Sequence, residues 1–95
     1  MVLRITAEVR VLSDRLTLKA GFCPTVAFRG LYHSARIMET SAELRPRQSG
    51  IQTLEILSAD PINQGWHVGA DFKMCDGPDN ILAEAKVLTM DCLVA

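Results

Sequence analysis

The 95-residue sequence predicts an all-β domain, either a barrel or a sandwich. Apolar and polar residues alternate with a period of two in about six or seven short segments. Residues that favour turns separate these segments at intervals of about 8–12 residues. Helical periodicity is not sustained over eleven residues anywhere in the chain. The length suits a single domain, residues 1–95, and is too short for two.

The first third of the chain contains two predicted strands. Residues 4–12, RITAEVRVL, place apolar side chains on one side and polar ones on the other, as in a half-buried strand. The apolar side comprises Ile5, Ala7, Val9 and Val11, and the polar side Arg4, Thr6, Glu8 and Arg10. Residues 16–20 form a linker or a short strand before a turn at Gly21. Residues 25–29 follow Pro24, which lacks a backbone donor and suits the entry to a strand.

The central part of the chain alternates again. Residues 31–40, LYHSARIMET, put Leu31, His33, Ala35 and Ile37 opposite Tyr32, Ser34, Arg36 and Met38. Residues 41–50 are polar and contain Pro46, so we expect a loop there. Residues 51–58, IQTLEILS, predict a further strand, and the pair Asp60-Pro61 signals the turn that closes it.

The last third predicts two strands joined by a tight turn. Residues 66–75 place Val68, Ala70, Phe72 and Met74 on one face and Asp71, Lys73 and Cys75 on the other. The segment DGPDN, residues 76–80, is typical of a hairpin turn. The final strand, residues 81–90, turns Glu84 and Lys86 outward and Ala83, Ala85 and Val87 inward. The apolar tail with Leu93 and Val94 either folds back on the barrel or packs on another subunit.

The composition excludes several classes of protein. A chain that is 48% hydrophobic and 22% charged buries enough apolar surface to fold. Its apolar runs are shorter than the roughly 18 residues of a membrane span, and charges occupy the region that a signal peptide keeps apolar, which predicts a cytoplasmic protein. The three cysteines, Cys23, Cys75 and Cys92, form no CxxC pair. We therefore expect free thiols and neither a disulfide framework nor a zinc ribbon.

The charge of the chain is distributed unevenly along it. Residues 1–50 hold eight Lys and Arg against four Asp and Glu, whereas residues 51–95 hold two against seven. If the two halves form different surfaces, contacts between copies or with an acidic partner follow. If strands from the two halves interleave, the surface carries both signs throughout.

Five stretches together resemble the C-terminal β-barrel, domain 3, of elongation factor Tu. They are AEVRVLS (7–13), GFCPTVAFR (21–29), Ile37, IQTLEILSADPI (51–62) and AEAKVL (83–88). They occur in the order of that family and span nearly the whole chain. The first two are moderately specific, and the others are general β patterns. The resemblance implies a six-stranded antiparallel closed barrel.

The resemblance also sets limits on function. No GxxxxGK[ST] phosphate loop is present, so GTP hydrolysis is not expected. In the family, the segment that matches Gly21, Phe22, Pro24 and Arg29 contributes to contacts with aminoacyl-tRNA. Here Cys23 replaces the family's arginine and Ala20 its usual lysine. The loss of two cations weakens the expectation of RNA binding, because pairing with phosphates dominates nucleic-acid affinity.

A catalytic or metal site is a minor alternative. Cys23 beside a turn could act as a nucleophile if His33 or His67 lay within hydrogen-bond reach as its base. A cysteine that fills space at a barrel corner is the commoner situation. The cysteines and histidines lack zinc-ligand spacing, and the acidic turn at 76–80 lacks the alternation of a calcium loop. We therefore predict no enzyme, no cofactor and no metal.

We predict a non-catalytic, stand-alone binding module that forms a homo-oligomer or recognises a protein partner. Its apolar composition in the absence of sibling domains suggests exposed interaction patches. The aromatic residues Phe22 and Trp66 lie close to turns, where they either cap the barrel or anchor a partner. The residues predicted to bind a partner are Lys19, Phe22, Cys23, Arg29, Arg36 and Trp66. The alternative is a translation-related RNA-binding protein that uses Lys19, Arg29 and Arg36 on one face.

Overall fold

Six β-strands close into one antiparallel barrel in the order β1-β4-β3-β2-β5-β6. The strands are β1 (Val2–Val11), β2 (Thr25–Phe28), β3 (Leu31–Thr40), β4 (Ser49–Ile56), β5 (Asp71–Cys75) and β6 (Ile81–Leu93). The structure is a computed structural model that describes residues 2–40, 43–57, 65–77 and 79–93. It confirms the all-β fold and the six-stranded antiparallel closed barrel. No helix of the described residues is long and apolar enough to cross a membrane.

The interior of the barrel follows from the period-two patterns of the strands. In β1 every second residue, Leu3, Ile5, Ala7, Val9 and Val11, is fully buried. Full burial of a leucine, isoleucine or valine side chain contributes about 1.5–3 kcal/mol of hydrophobic stabilisation. β6 adds Ala83, Ala85 and Val87 to the same core, as its alternation predicted. Small residues on β6 allow the larger side chains of β1 to fill the barrel axis.

One end of the barrel is closed by two leucines that lie outside the strands. The backbone of Leu18 donates to Leu44 at 2.8 Å and accepts from it at 2.9 Å, which forms an isolated bridge across that end. A Cβ added to Gly50 would lie 2.7 Å from Cδ2 of Leu44. A larger residue at this position would require the end of the Leu44 side chain to move. The segment at 16–20 is thus a linker with one bridge, not a full strand.

Aromatic side chains close the opposite end. The ring of Trp66 stacks on Phe28 with centroids 4.0 Å apart and meets Phe72 edge-on at 5.5 Å. Its edge also approaches His33, at a centroid distance of 6.1 Å. Aromatic pairs of this kind add about 0.5–1.5 kcal/mol each beyond the area that they bury. Trp66 is 6% exposed, so its ring caps the barrel as one of the two sequence-based alternatives expected.

Two tight turns have the conformations that their sequences favour. Arg29 and Gly30 connect β2 to β3 with φ values of 51° and 79°. Two successive positive φ angles define the turn that suits the twist of a two-residue hairpin, and glycine adopts one of them without strain. In the turn before β6, the amide of Asp76 donates to the carbonyl of Asn80 at 2.8 Å. Pro78 and the Asp60-Pro61 pair lie outside the described residues.

The structure corrects the predicted strand at 66–75. β5 begins only at Asp71, and Val68, expected on the inward face, is 62% exposed in the preceding loop. Cys75, expected on the outward face, is buried without belonging to the core cluster, at the point where the pairing of β5 with β6 shifts register. Leu31 was also expected inside but is 60% exposed at the hairpin. Val94 lies outside the described residues, whereas Leu93 pairs with Val2.

Gln52 is a polar residue inside the apolar core. It is 1% exposed, and neither its amide nitrogen nor its amide oxygen has a hydrogen-bond partner. Its strand neighbours in register are Ala7 and Thr40. A buried polar group without a partner costs about 1–3 kcal/mol.

We predict that Gln52→Met raises the free energy of unfolding by about 1–2 kcal/mol, because it replaces an unpaired amide with an apolar side chain of similar length. Urea denaturation followed by the fluorescence of Trp66, the single tryptophan, measures this change. Thr53→Val, on the half-buried outward position next to Gln52, serves as the control and changes stability by less than about 0.5 kcal/mol. A loss of stability in Gln52→Met contradicts the prediction.

His33 is the second buried polar residue without a partner. Neither ring nitrogen has a hydrogen bond, and desolvation by burial lowers the pKa of the imidazole below 6.5. The unfolded chain therefore binds this proton at a higher pH than the folded chain does. Stability is complete above about pH 6.5 and is lost as the pH falls from there toward the folded-state pKa.

We predict that His33→Leu flattens the loss of stability between about pH 7.5 and 5.5, because only the wild type must protonate a buried imidazole. Urea unfolding of each protein at both pH values gives the change in its free energy of unfolding with pH. Comparison of these changes cancels any effect of the substitution that does not depend on pH. His67→Asn is the control, since His67 is exposed. An equal pH dependence in the wild type and His33→Leu would refute the assignment.

Candidate binding surface

Three neighbouring strands carry six charged side chains in two rows on the outside of the barrel. In the first row, Glu8 of β1 lies opposite Lys86 of β6, which lies opposite Asp71 of β5. In the second row, Arg10, Glu84 and Lys73 follow the same order. Signs alternate along each row and along each strand. We term the six residues Glu8, Arg10, Asp71, Lys73, Glu84 and Lys86 the charged face.

The charged face follows from the same alternation that builds the core. Each of its residues lies between two residues that are buried, as Glu84 lies between Ala83 and Ala85. One ion pair forms within it, between Nη1 of Arg10 and Oε1 of Glu84 at 3.4 Å. The two side chains are 64% and 45% exposed, and exposed pairs of this kind contribute about 0–1 kcal/mol. The contribution of this ion pair to the stability of the fold therefore does not explain the alternating charges.

An open groove of about 690 Å³ lies over the charged face. Besides the six charged residues, Ala27, Arg29, Gly30, Ser49, Phe72 and Ala85 line it. The small side chain of Ala27, opposite Lys73, and the absence of one at Gly30 leave space beside the longer charged residues. The groove is thus wide enough to admit side chains of another molecule between its charged walls.

The hairpin between β2 and β3 forms one end of the groove, and Arg29 lies in this hairpin. Its guanidinium carbon lies 5.9 Å from the centroid of the Phe28 ring. Its Nη1 lies so close to Gly65 that any side chain at that position would collide with it. Arg29 follows Ala27 by two residues and lines the groove from the turn after β2. Arg29 is one of the residues predicted to bind a partner, and it lies at this groove.

Arg36 belongs to a different cluster on the other side of the barrel. Glu55 of β4 lies between Arg4 of β1 and Arg36 of β3 in register. One carboxylate oxygen accepts from Nη2 of Arg4 at 3.1 Å, and the other lies 3.9 Å from Nη2 of Arg36. Glu55 is only 9% exposed although it points outward. Arg36 is therefore already engaged with a carboxylate of its own chain.

Lys19, Phe22 and Cys23 lie at the end of the barrel closed by Leu18 and Leu44. The amide of Gly21 donates to the carbonyl of Ile37, while Arg29 precedes the other end of β3. About six residues of extended strand, roughly 20 Å, separate the two points. Lys19 and Arg29 therefore lie toward opposite ends of the barrel, and Arg36, next to Ile37, lies toward the end that contains Lys19.

Cys23 and the histidines do not converge. Cys23 lies opposite Arg36, since the flanking amides of Ala35 and Ile37 donate to Pro24 and Phe22. Its exposed Sγ is 3.5 Å from the carbonyl oxygen of Gly21. His33 faces the interior at the aromatic end, and Nδ1 of His67 contacts the carbonyl of Val68 at that end too. Among the described residues, no group of three His, Cys, Asp or Glu side chains could hold a metal.

The other predicted contact residues differ in how much surface they offer. Phe22 is half-buried and packs against the core, and Trp66 is almost completely buried in it. Lys19 and Cys23 are exposed. Sequence reasoning identified Glu84 and Lys86 as outward-facing but did not place them in a shared surface. The missing information is the pairing order β1-β6-β5, which brings together charges from three distant segments.

The interleaving of strands also decides between the two interpretations of the uneven charge distribution. Positive residues of the first half lie opposite negative residues of the second half, as in the pairs Arg4 with Glu55 and Arg10 with Glu84. The two halves therefore do not form separate surfaces of opposite sign on these strands.

Comparison of the chain with protein-family models and with curated protein sequences finds no match in either. The resemblance to domain 3 of elongation factor Tu therefore stays a prediction from the sequence.

Proposed function

We propose that the chain is a non-catalytic protein-binding module that uses the groove over the charged face. The observation that carries this proposal is the combination of an open volume of about 690 Å³ with six alternating charges around it. A surface of this kind accepts a partner whose own charges match the pattern, and it repels partners of a single sign. The partner class that fits is a protein surface with acidic and basic side chains at strand-like spacing.

The charge pattern favours a protein over a nucleic acid. A phosphate backbone is uniformly negative and would meet Glu8, Glu84 and Asp71 beside the four cations that line the groove. On the other side of the barrel, Arg4 and Arg36 share the carboxylate of Glu55. The net charge of −1 adds no long-range attraction for RNA. RNA binding is therefore the less supported function.

We predict that Lys73→Gln combined with Lys86→Gln weakens the capture of partner proteins about tenfold, since two surface charge pairs of about 0.5–1 kcal/mol each are lost. The immobilised chain is exposed to a cell extract at low salt, and the retained proteins are quantified by mass spectrometry. Capture by the wild type also declines at about 0.5 M salt, where screening shortens the range of exposed charges.

Arg15→Gln combined with Arg45→Gln provides the matched control. It removes the same number of positive charges from exposed residues that lie outside the groove. Proteins retained by the wild type and by this control, but not by the Lys73 and Lys86 variant, support the proposal. Equal retention by all three proteins would contradict it.

A further inference from the structure

We propose that the groove over the charged face binds a second copy of the chain in a symmetric dimer. This inference rests on the proposed function and names its partner. The twofold axis lies in the interface between the two copies and runs perpendicular to the strands. It passes over β6 at the position of Ala85. Strands β1, β6 and β5 of one copy then lie antiparallel over the same strands of the other.

The register of the strands makes the charged face complementary to itself in this orientation. A twofold axis perpendicular to the strands exchanges the two rows while each strand stays over its own equivalent. Glu8 then faces the partner's Arg10, and Asp71 faces the partner's Lys73. At the centre, Glu84 faces the partner's Lys86. Because a twofold contact occurs twice, these three combinations give six pairs of opposite charge.

Other orientations of two copies do not give this match. A twofold axis parallel to the strands places β1 over β5, so that Glu8 faces the partner's Asp71 and Arg10 the partner's Lys73. Lys86 would then meet its own equivalent. A simple translation does not bring the two charged faces together, because both then point in the same direction. Like charges brought together oppose association, so the pattern selects one arrangement.

The residues at the margin of the face are compatible with the same arrangement. Ala27 is opposite Lys73 in the second row, and Arg29 lines the groove from the adjoining turn. The small side chain of Ala27 and the groove of about 690 Å³ leave room for the long charged side chains of the partner.

The expected dimer is reversible and sensitive to salt. Exposed ion pairs are individually weak, and the contact is made largely of charged side chains. Increasing ionic strength from about 0.05 to 0.5 M shortens the screening length from more than 10 Å to about 4 Å. Light scattering or sedimentation equilibrium over a concentration series at both salt concentrations measures the dissociation constant. We expect it to rise at least tenfold at the higher salt concentration.

A charge exchange at the centre of the face tests the geometry directly. Lys86→Glu places a carboxylate against the partner's Glu84, and Glu84→Lys places an ammonium group against the partner's Lys86. Each variant alone is therefore expected to be monomeric. In a mixture of the two, every central contact joins opposite charges again, and a heterodimer forms. Circular dichroism and Trp66 fluorescence establish that both variants are folded. Lys86→Gln and Glu84→Gln replace them if either is not.

A second pair of variants controls for general attraction between oppositely charged proteins. Glu43→Lys and Arg15→Glu have the same net charges as the test pair but alter exposed residues outside the groove. Each is expected to dimerise alone like the wild type, with no gain on mixing. A wild type that remains monomeric at about 1 mM protein and low salt overturns the inference, as does a test mixture that associates no better than its components. Capture of other proteins through Lys73 and Lys86 by a monomeric chain would leave the proposed function intact.

Discussion

Strand β1 pairs with β4 on one side and with β6 on the other, so its register determines which residues face the core and which face solvent. A shift by one residue would exchange the two sets. Glu8 and Arg10 would enter the barrel, and Val9 would leave it. Burying unpaired charges costs several kcal/mol each, so the shifted pairing is strongly disfavoured. The core and the charged face thus result from the same constraint.

The register on the β6 side depends on a local irregularity. Thr6 pairs with Thr89, but the next residue, Ala7, pairs with Val87. Leu88 is the extra residue of this bulge. Without it, Glu8 would lie opposite Val87, and the alternation of β6 would be out of phase with that of β1. The bulge is therefore what places Lys86 beside Glu8, and bulges commonly redirect side chains in this way.

Local patterns predicted the barrel well and its irregular parts poorly. The sequence alternation located β1, β3 and β6 because each has a run of buried residues at every second position. It failed at Val68 and Cys75. The chain before β5 follows the packing of Trp66 against the barrel end, and Cys75 is buried beside a register shift, outside the core cluster. Both effects depend on contacts between distant segments. The charged face was unpredicted for the same reason.

Closure of the sheet limits how this chain can associate with other molecules. An open sheet offers unpaired backbone groups at its edges, and a partner strand can bind there whatever its side chains are. Here β1 is hydrogen-bonded to β6, so the described strands leave no such edge. Association through the described strands then uses side chains on the outside of the barrel. For that surface, selectivity depends on the order of its charges, and the two rows formed by Glu8, Lys86 and Asp71 and by Arg10, Glu84 and Lys73 provide a defined order.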